Sequence, residues 1–281
     1  MTAPGTTVAG SAAPAVVTAA AYTTATQALR QRMTTLAQTL FGAQGYRDQG
    51  AAAYVTTMAP LADAAQRTMA SLTDAYLTAQ IAAATGQPIA PTGIPAALVT
   101  GAGIRGVAPA TVLRRPYVQV WTDLSKGKTL QQAVNAGRAR AESIAVTNLQ
   151  LAKTKAAQHV LTRSPTKVIG YRRELGSDPH HCALCLLTSS RIYRKADLLP
   201  LHPGCSCTPV PVIRGERIPE LDPTQVHDTI RRDLGDKYVH AGGRGLVNYR
   251  RIVITHEHSE LGPVLGVRGQ HFTGPSDIPG G

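Results

Sequence analysis

The chain has 281 residues and a mass of 29.6 kDa, with 29 Lys+Arg against 17 Asp+Glu, a formal net charge of +12 and only 4% aromatic residues. A hydrophobic share of 43% excludes a wholly disordered chain, and the lack of any run of 18 apolar residues excludes an apolar membrane-spanning helix. Much of the apolar share is Ala, which buries little area per residue, so the expectation is long, thin helices rather than one thick core. The start, MTAPGTTVAGSAAPAVVTAA, has no basic residue ahead of its apolar stretch and is a poor secretory signal.

The charge is uneven. Residues 1–104 hold four basic and three acidic side chains, residues 105–173 thirteen and two, and residues 174–281 twelve of each. One segment therefore carries nearly all the excess. Such a stripe is the footprint of a polyanion partner, whether DNA, RNA or an acidic protein surface, or else a solvated helix face. No helix-turn-helix or RNA-recognition signature is visible.

In chain order, residues 1–14 read as an extended arm and 15–41 as a helix. Leu29, Met33, Leu36 and Leu40 form one apolar seam there, and Gly42 offers a stop. A second helical stretch over about 47–84 is expected to break at Pro60. The Pro- and Gly-rich segment 86–95 reads as a linker. Pro109 and Pro116 punctuate the next region, leaving a short helix over 117–124. Thr129 and Gln132 have the spacing of a capping box and open a long helix over 130–162, which ends before Ser164-Pro165.

The period then changes. Residues 167–175 read as a strand, 208–213 as an edge strand limited by Pro209 and Pro211, and 223–234 as a helix opened by Asp222-Pro223. Residues 246–255 read as a last strand, and the chain from about 266 as a flexible tail. The predicted fold class is a mainly α N-terminal region followed by a small α+β module with a Cys/His-rich site. Its parts are an arm (1–14), a helical assembly region (15–100), a basic helical segment (105–165), the Cys/His module (166–265) and a tail (266–281).

All four cysteines fall within 26 residues: Cys182-x2-Cys185, then Cys205-x-Cys207, with His202 shortly before the second pair. Chance would scatter them, so they act together. Zinc takes four soft ligands in a tetrahedron, and Cys-x2-Cys lets both thiolates of one turn meet the same ion. The second pair is one residue shorter than a usual knuckle, but His202 can replace one member. The candidate ligands are therefore Cys182, Cys185, His202, Cys205 and Cys207, with structural zinc the leading reading. Disulfides and free structural thiols are the alternatives. Disulfides need an oxidising setting. His180 and His181 precede the cluster and read as loop residues. Candidate contacts to nucleic acid or an acidic partner are Arg114, Arg115, Arg138, Arg140, Lys153 and Lys155.

Residues 168–212, with Cys182, Cys185, Tyr193, His202, Cys205, Cys207 and Val210, resemble the core of the MuF-like minor head proteins of tailed phages. The helix 139–158 resembles the helix preceding that core, and the resemblance covers roughly 110–213. It implies a non-catalytic head morphogenesis protein, a minor component of the virion located in the capsid interior, and in the host cytoplasm during assembly. Its implied partners are the portal protein, other capsid proteins and packaged double-stranded DNA, with no membrane. Related proteins are also described as capsid maturation proteases, which makes an enzyme the alternative. Ser177, Ser189 and Ser190 lie near His180 and His181, but no Gly-x-Ser-x-Gly motif is present. A zinc-containing nucleic-acid-binding or nuclease-like module is a second alternative. His256 and His258 are its only distant histidine candidates and read as exposed strand-end residues.

Overall fold

Ala-rich helices need close-packed partners to be stable. In the computed structural model, which describes residues 18–43, 45–175, 182–202, 205, 207–216, 222–234, 253–258 and 261–267, they find these partners in one another. The helices α1 (Ala19–Ala43) and α2 (Asp48–Thr85) are followed by the single-turn α3 (Ala96–Val99), then α4 (Pro109–Ser125) and α5 (Leu130–Arg163). One core joins α1, α2, α4 and α5. Its members include Met33, Phe41, Tyr54, Met58, Tyr117, Val120, Ile144 and Leu149. The few aromatics are concentrated here: Phe41 meets Tyr117 edge-on at 5.0 Å and Tyr54 at 6.2 Å.

Two proline expectations are corrected. Helix α2 runs unbroken through Pro60, whose ring is exposed, because buried Tyr54, Met58, Ala62 and Ala65 anchor it on both sides. Helix α4 starts at Pro109, well before 117, and continues through Pro116, with Val112, Leu113, Tyr117 and Val120 all buried. In both helices tertiary burial outweighs the lost backbone bond. The capping box at Thr129 is formed: the Thr129 hydroxyl accepts from the Gln132 N–H at 3.3 Å, and the Gln132 carboxamide accepts from the Thr129 N–H at 3.0 Å.

The linker is also tied down. The buried Asp74 carboxylate accepts from the Thr92 N–H, the Thr92 hydroxyl and the Gly93 N–H at 2.9–3.0 Å. This folds residues 92–93 back onto α2.

The second part contains β1 (Val168–Glu174), α6 (Ala183–Ser189), β2 (Thr208–Ile213), α7 (Pro223–Leu234), β3 (Val253–His258) and β4 (Gly262–Val267). Strand β1 pairs antiparallel with β2, and β3 with β4. Strand β3 continues past the expected end at Thr255 to His258, and residues 246–252 of that expectation lie outside the described residues. Residues 262–267 complete a hairpin in which His258 faces Gly262, so the start of the expected tail is a strand. The arm and most of the tail also lie outside the described residues.

A joint packs the two parts together. Tyr22 of α1, Tyr76, Leu77 and Ile81 of α2, and Ala157, Val160 and Leu161 of α5 bury against Val168 and Tyr171 of β1. Helix α5 thus serves both cores.

Candidate metal centre

Each knuckle is built by a turn. Cys182 caps α6: its Sγ accepts from the Cys185 N–H at 3.4 Å, and its carbonyl from the Leu186 N–H at 3.1 Å. The turn puts both sulfurs on one side. On the other chain segment, the Cys205 N–H donates to the His202 carbonyl at 3.3 Å. His202-x2-Cys205 therefore repeats the spacing of Cys182-x2-Cys185. The second knuckle starts at the histidine, and Cys207 follows it directly before β2.

The segments meet ligand to ligand. His202 Nε2 lies 3.2 Å from Cys182 Sγ and 3.3 Å from Cys185 Sγ, and Cys185 Sγ lies 3.7 Å from Cys205 Sγ. The donor atoms form two triads that share Cys185: Cys182–Cys185–His202 and Cys185–Cys205–Cys207. All five residues are buried, between 2% and 6% exposed. All five predicted ligands are thus brought together, and they can hold a metal ion. Two thiolates sharing a tetrahedral zinc stand roughly 3.8 Å apart, given a Zn–S bond of about 2.3 Å. The Cys185–Cys205 separation fits that edge.

Mutual hydrogen bonding splits the thiols. Cys182 is pushed down to about 5, first by the Cys185 thiol and then by His202 against its own burial. Cys205 falls well below the usual thiol value through hydrogen bonds from Cys185 and Cys207. Cys185 is held well above it, first by its contact with Cys182. Against the pull of the Cys185 hydrogen bond, Cys205 and burial hold Cys207 well above it too. The cluster stabilises thiolate character at Cys182 and Cys205, and metal binding requires thiolate ligands.

Surrounding groups fix the ligands. Asp233 of α7 accepts from the Ala183 N–H at 2.7 Å, bracing the start of α6, and Arg232 Nε lies 2.6 Å from the same carboxylate. The Pro200 carbonyl accepts from the Leu265 N–H at 3.0 Å, tying the β3–β4 hairpin to the segment that carries His202. From α5, Gln150 Nε2 donates to the His202 carbonyl and Lys153 Nζ to the Cys207 carbonyl, both at 2.9 Å. Burial lowers the Lys153 ammonium from its usual value, while Cys205 and Cys207 draw it back up. Sequence reading missed Gln150 and Asp233, for which no local pattern exists.

The other predicted cations have different surroundings. Arg114 pairs with Asp48 at 2.7 Å and lies over the Trp121 ring. Arg138 is exposed, with its guanidinium near Gly42 of α1, and Arg140 is half-buried. Arg115 and Lys155 line one cleft of about 450 Å³ with Arg105, Glu257 and His258. Lys153 departs from the stripe and faces the cysteines.

The Ser189 and Ser190 hydroxyls donate to the Leu186 and Leu187 carbonyls, closing α6. Ser177, His180 and His181 lie outside the described residues. The expected exposure of His258 is corrected: it is buried, because Nδ1 accepts from the Leu261 N–H and closes the hairpin turn. His256 is half-buried across from Val264. No helix among the described residues is long and apolar enough to cross a membrane. Neither a protein-family model, nor a curated protein, nor a solved structure matches the chain.

Proposed function

We propose that the Cys/His cluster is a structural zinc site and that the chain is a non-catalytic, MuF-like minor head protein of a tailed phage. The observation that carries the zinc reading is the pair of x2 knuckles, with His202 within 3.3 Å of two thiols and Cys185 within 3.7 Å of a third. Buried thiol- and imidazole-rich sets of this kind suit zinc above harder divalent ions. Every candidate ligand is buried, which suits a closed structural site rather than a catalytic one with an open position. Zinc would join α6, the His202 segment and the start of β2, which share only a small apolar core.

Metal analysis of the purified chain tests this. About one zinc per chain is expected, with melting lowered by chelator and metal lost in Cys205→Ser. A metal-free wild type whose melting ignores chelator would sink the zinc reading.

The head-protein reading rests on the Cys/His pattern of residues 168–212 and the basic segment before it. Arg114, Arg115, Arg138, Arg140 and Lys155 are the side chains proposed to meet the portal, other capsid proteins or packaged DNA inside the head. A virion or procapsid reconstruction tests it: density beside the portal is expected, and absence of the chain from assembled heads overturns it. Specific cleavage of a major capsid protein by the purified chain would replace it with a protease.

A further inference from the structure

Lys153 has a long flexible side chain and a charge that water solvates well, yet it turns inward. Its ammonium group donates to the backbone carbonyl of a candidate ligand residue, Cys207, at 2.9 Å. No carboxylate among the described residues pairs with it. Lys153 is half-buried, and a partly desolvated cation is stabilised by an anion nearby. Among the described residues the surroundings are otherwise cationic or neutral. Arg30, Gln27 and Gln150 line the same small cavity beside Cys205, and buried Arg173 of β1 directs its guanidinium to the Leu199 carbonyl. Among those residues, the Cys205 and Cys207 thiolates are the groups that favour the charged ammonium. Zinc held by three thiolates and one imidazole keeps a net single negative charge, and that charge would be buried where this ammonium stands.

We propose that Lys153, assisted by Gln150, compensates the charge of the loaded metal centre and docks it on α5. The inference rests on the zinc reading above. Both residues lie on one face of α5, at i and i+3. Each holds a carbonyl in the second cysteine segment, at His202 and Cys207. The metal would then close α6 onto the second segment, while α5 holds that segment from behind. Lys153 is thus a positioning residue for the metal and not a contact for an outside polyanion.

The test is zinc transfer from the full-length, zinc-loaded chain to a chromogenic chelator, followed as a rate. Outer partners of metal ligands typically change metal retention by about 10- to 100-fold. Lys153→Met is expected to release zinc at least about tenfold faster than wild type. Arg163→Met removes one positive charge from an exposed position of the same helix and should release at the wild-type rate. Lys153→Gln keeps an N–H donor, on a side chain one bond shorter, and loses the charge. It guards against a methionine variant that does not fold, and it too should release faster. Wild-type rates in both Lys153 variants overturn the proposal, as does equal acceleration by Arg163→Met, which would make the overall charge of α5 the cause. A wild type that binds no zinc overturns the zinc reading and this inference together, so the two failures are distinguishable.

Discussion

At the residue scale, side-chain size decides how closely the Ala-rich helices approach. Gly137 of α5 faces both α1 and α4 at close range. A methyl group there would lie 2.7 Å from both Phe41 Cζ and Val120 Cγ2 and 2.9 Å from the Pro116 carbonyl oxygen. Gly42 is also helical, yet a methyl group there would meet only the Arg138 guanidinium, at an ordinary 3.8 Å. Helix propensity alone favours Ala at both positions by up to about 1 kcal/mol. Gly137→Ala is nevertheless expected to destabilise by about 1–3 kcal/mol through overpacking, and Gly42→Ala to be neutral or stabilising. Chemical denaturation of the two variants checks this, and equal stability would mean that the helices adjust. The Lys153 case belongs to this scale too. Its residue type and the charge run around it pointed outward, and only its neighbour across space, the Cys207 carbonyl, shows where the charge goes.

At the element scale, local chemistry governs the ends of helices better than their interiors. Thr129 and Gln132 open α5 as their spacing predicts, Asp222 accepts from the Thr224 N–H to open α7, and β2 occupies the expected 208–213. These are contacts within a few residues, so sequence carries them. Thr129→Ala should lower stability by about 1 kcal/mol, measured by thermal melting, because α5 loses both bonds of its box. An unchanged melting temperature would show that packing alone holds the start of α5. Interior prolines behave differently. Pro60 and Pro116 look like breaks in sequence, but α2 and α4 continue through them because their flanking side chains are buried against other helices. The hairpin strand β4 was hidden for a similar reason. Its Gly- and Pro-containing run Gly262–Val267 has weak strand propensity and forms by pairing with β3.

At the scale of the whole molecule, α5 links two bodies. Its first half lies in the helical core, its last turns pack against β1, and Gln150 and Lys153 hold the second cysteine segment. The large core of the helical body also takes in Leu261 and Val264 of the β3–β4 hairpin, whereas the core around the cysteines is much smaller. Hydrogen exchange should therefore show a graded response to chelator. Amides of α6 and β2 are expected to lose protection, and those of α1, α2 and α4 to keep it. Loss of protection throughout would make the two bodies one cooperative unit.

By itself, the sequence determined the class of the fold, mainly helical with a small Cys/His-bearing α+β module, and it identified the five side chains that cluster as candidate metal ligands among the described residues. Periodicity, caps and cysteine clustering are local signals written within a few residues of one another. Only the tertiary structure decided which knuckle pairs with which. It made His202-x2-Cys205 the mate of Cys182-x2-Cys185, placed Asp233 and Gln150 behind them, and divided the basic segment between a cleft, a helix surface and the cysteine centre. Those relations join residues 20 to more than 50 positions apart, such as Cys182 with His202 and Lys153 with Cys207. They depend on how helices and strands pack, which no short window of residues encodes.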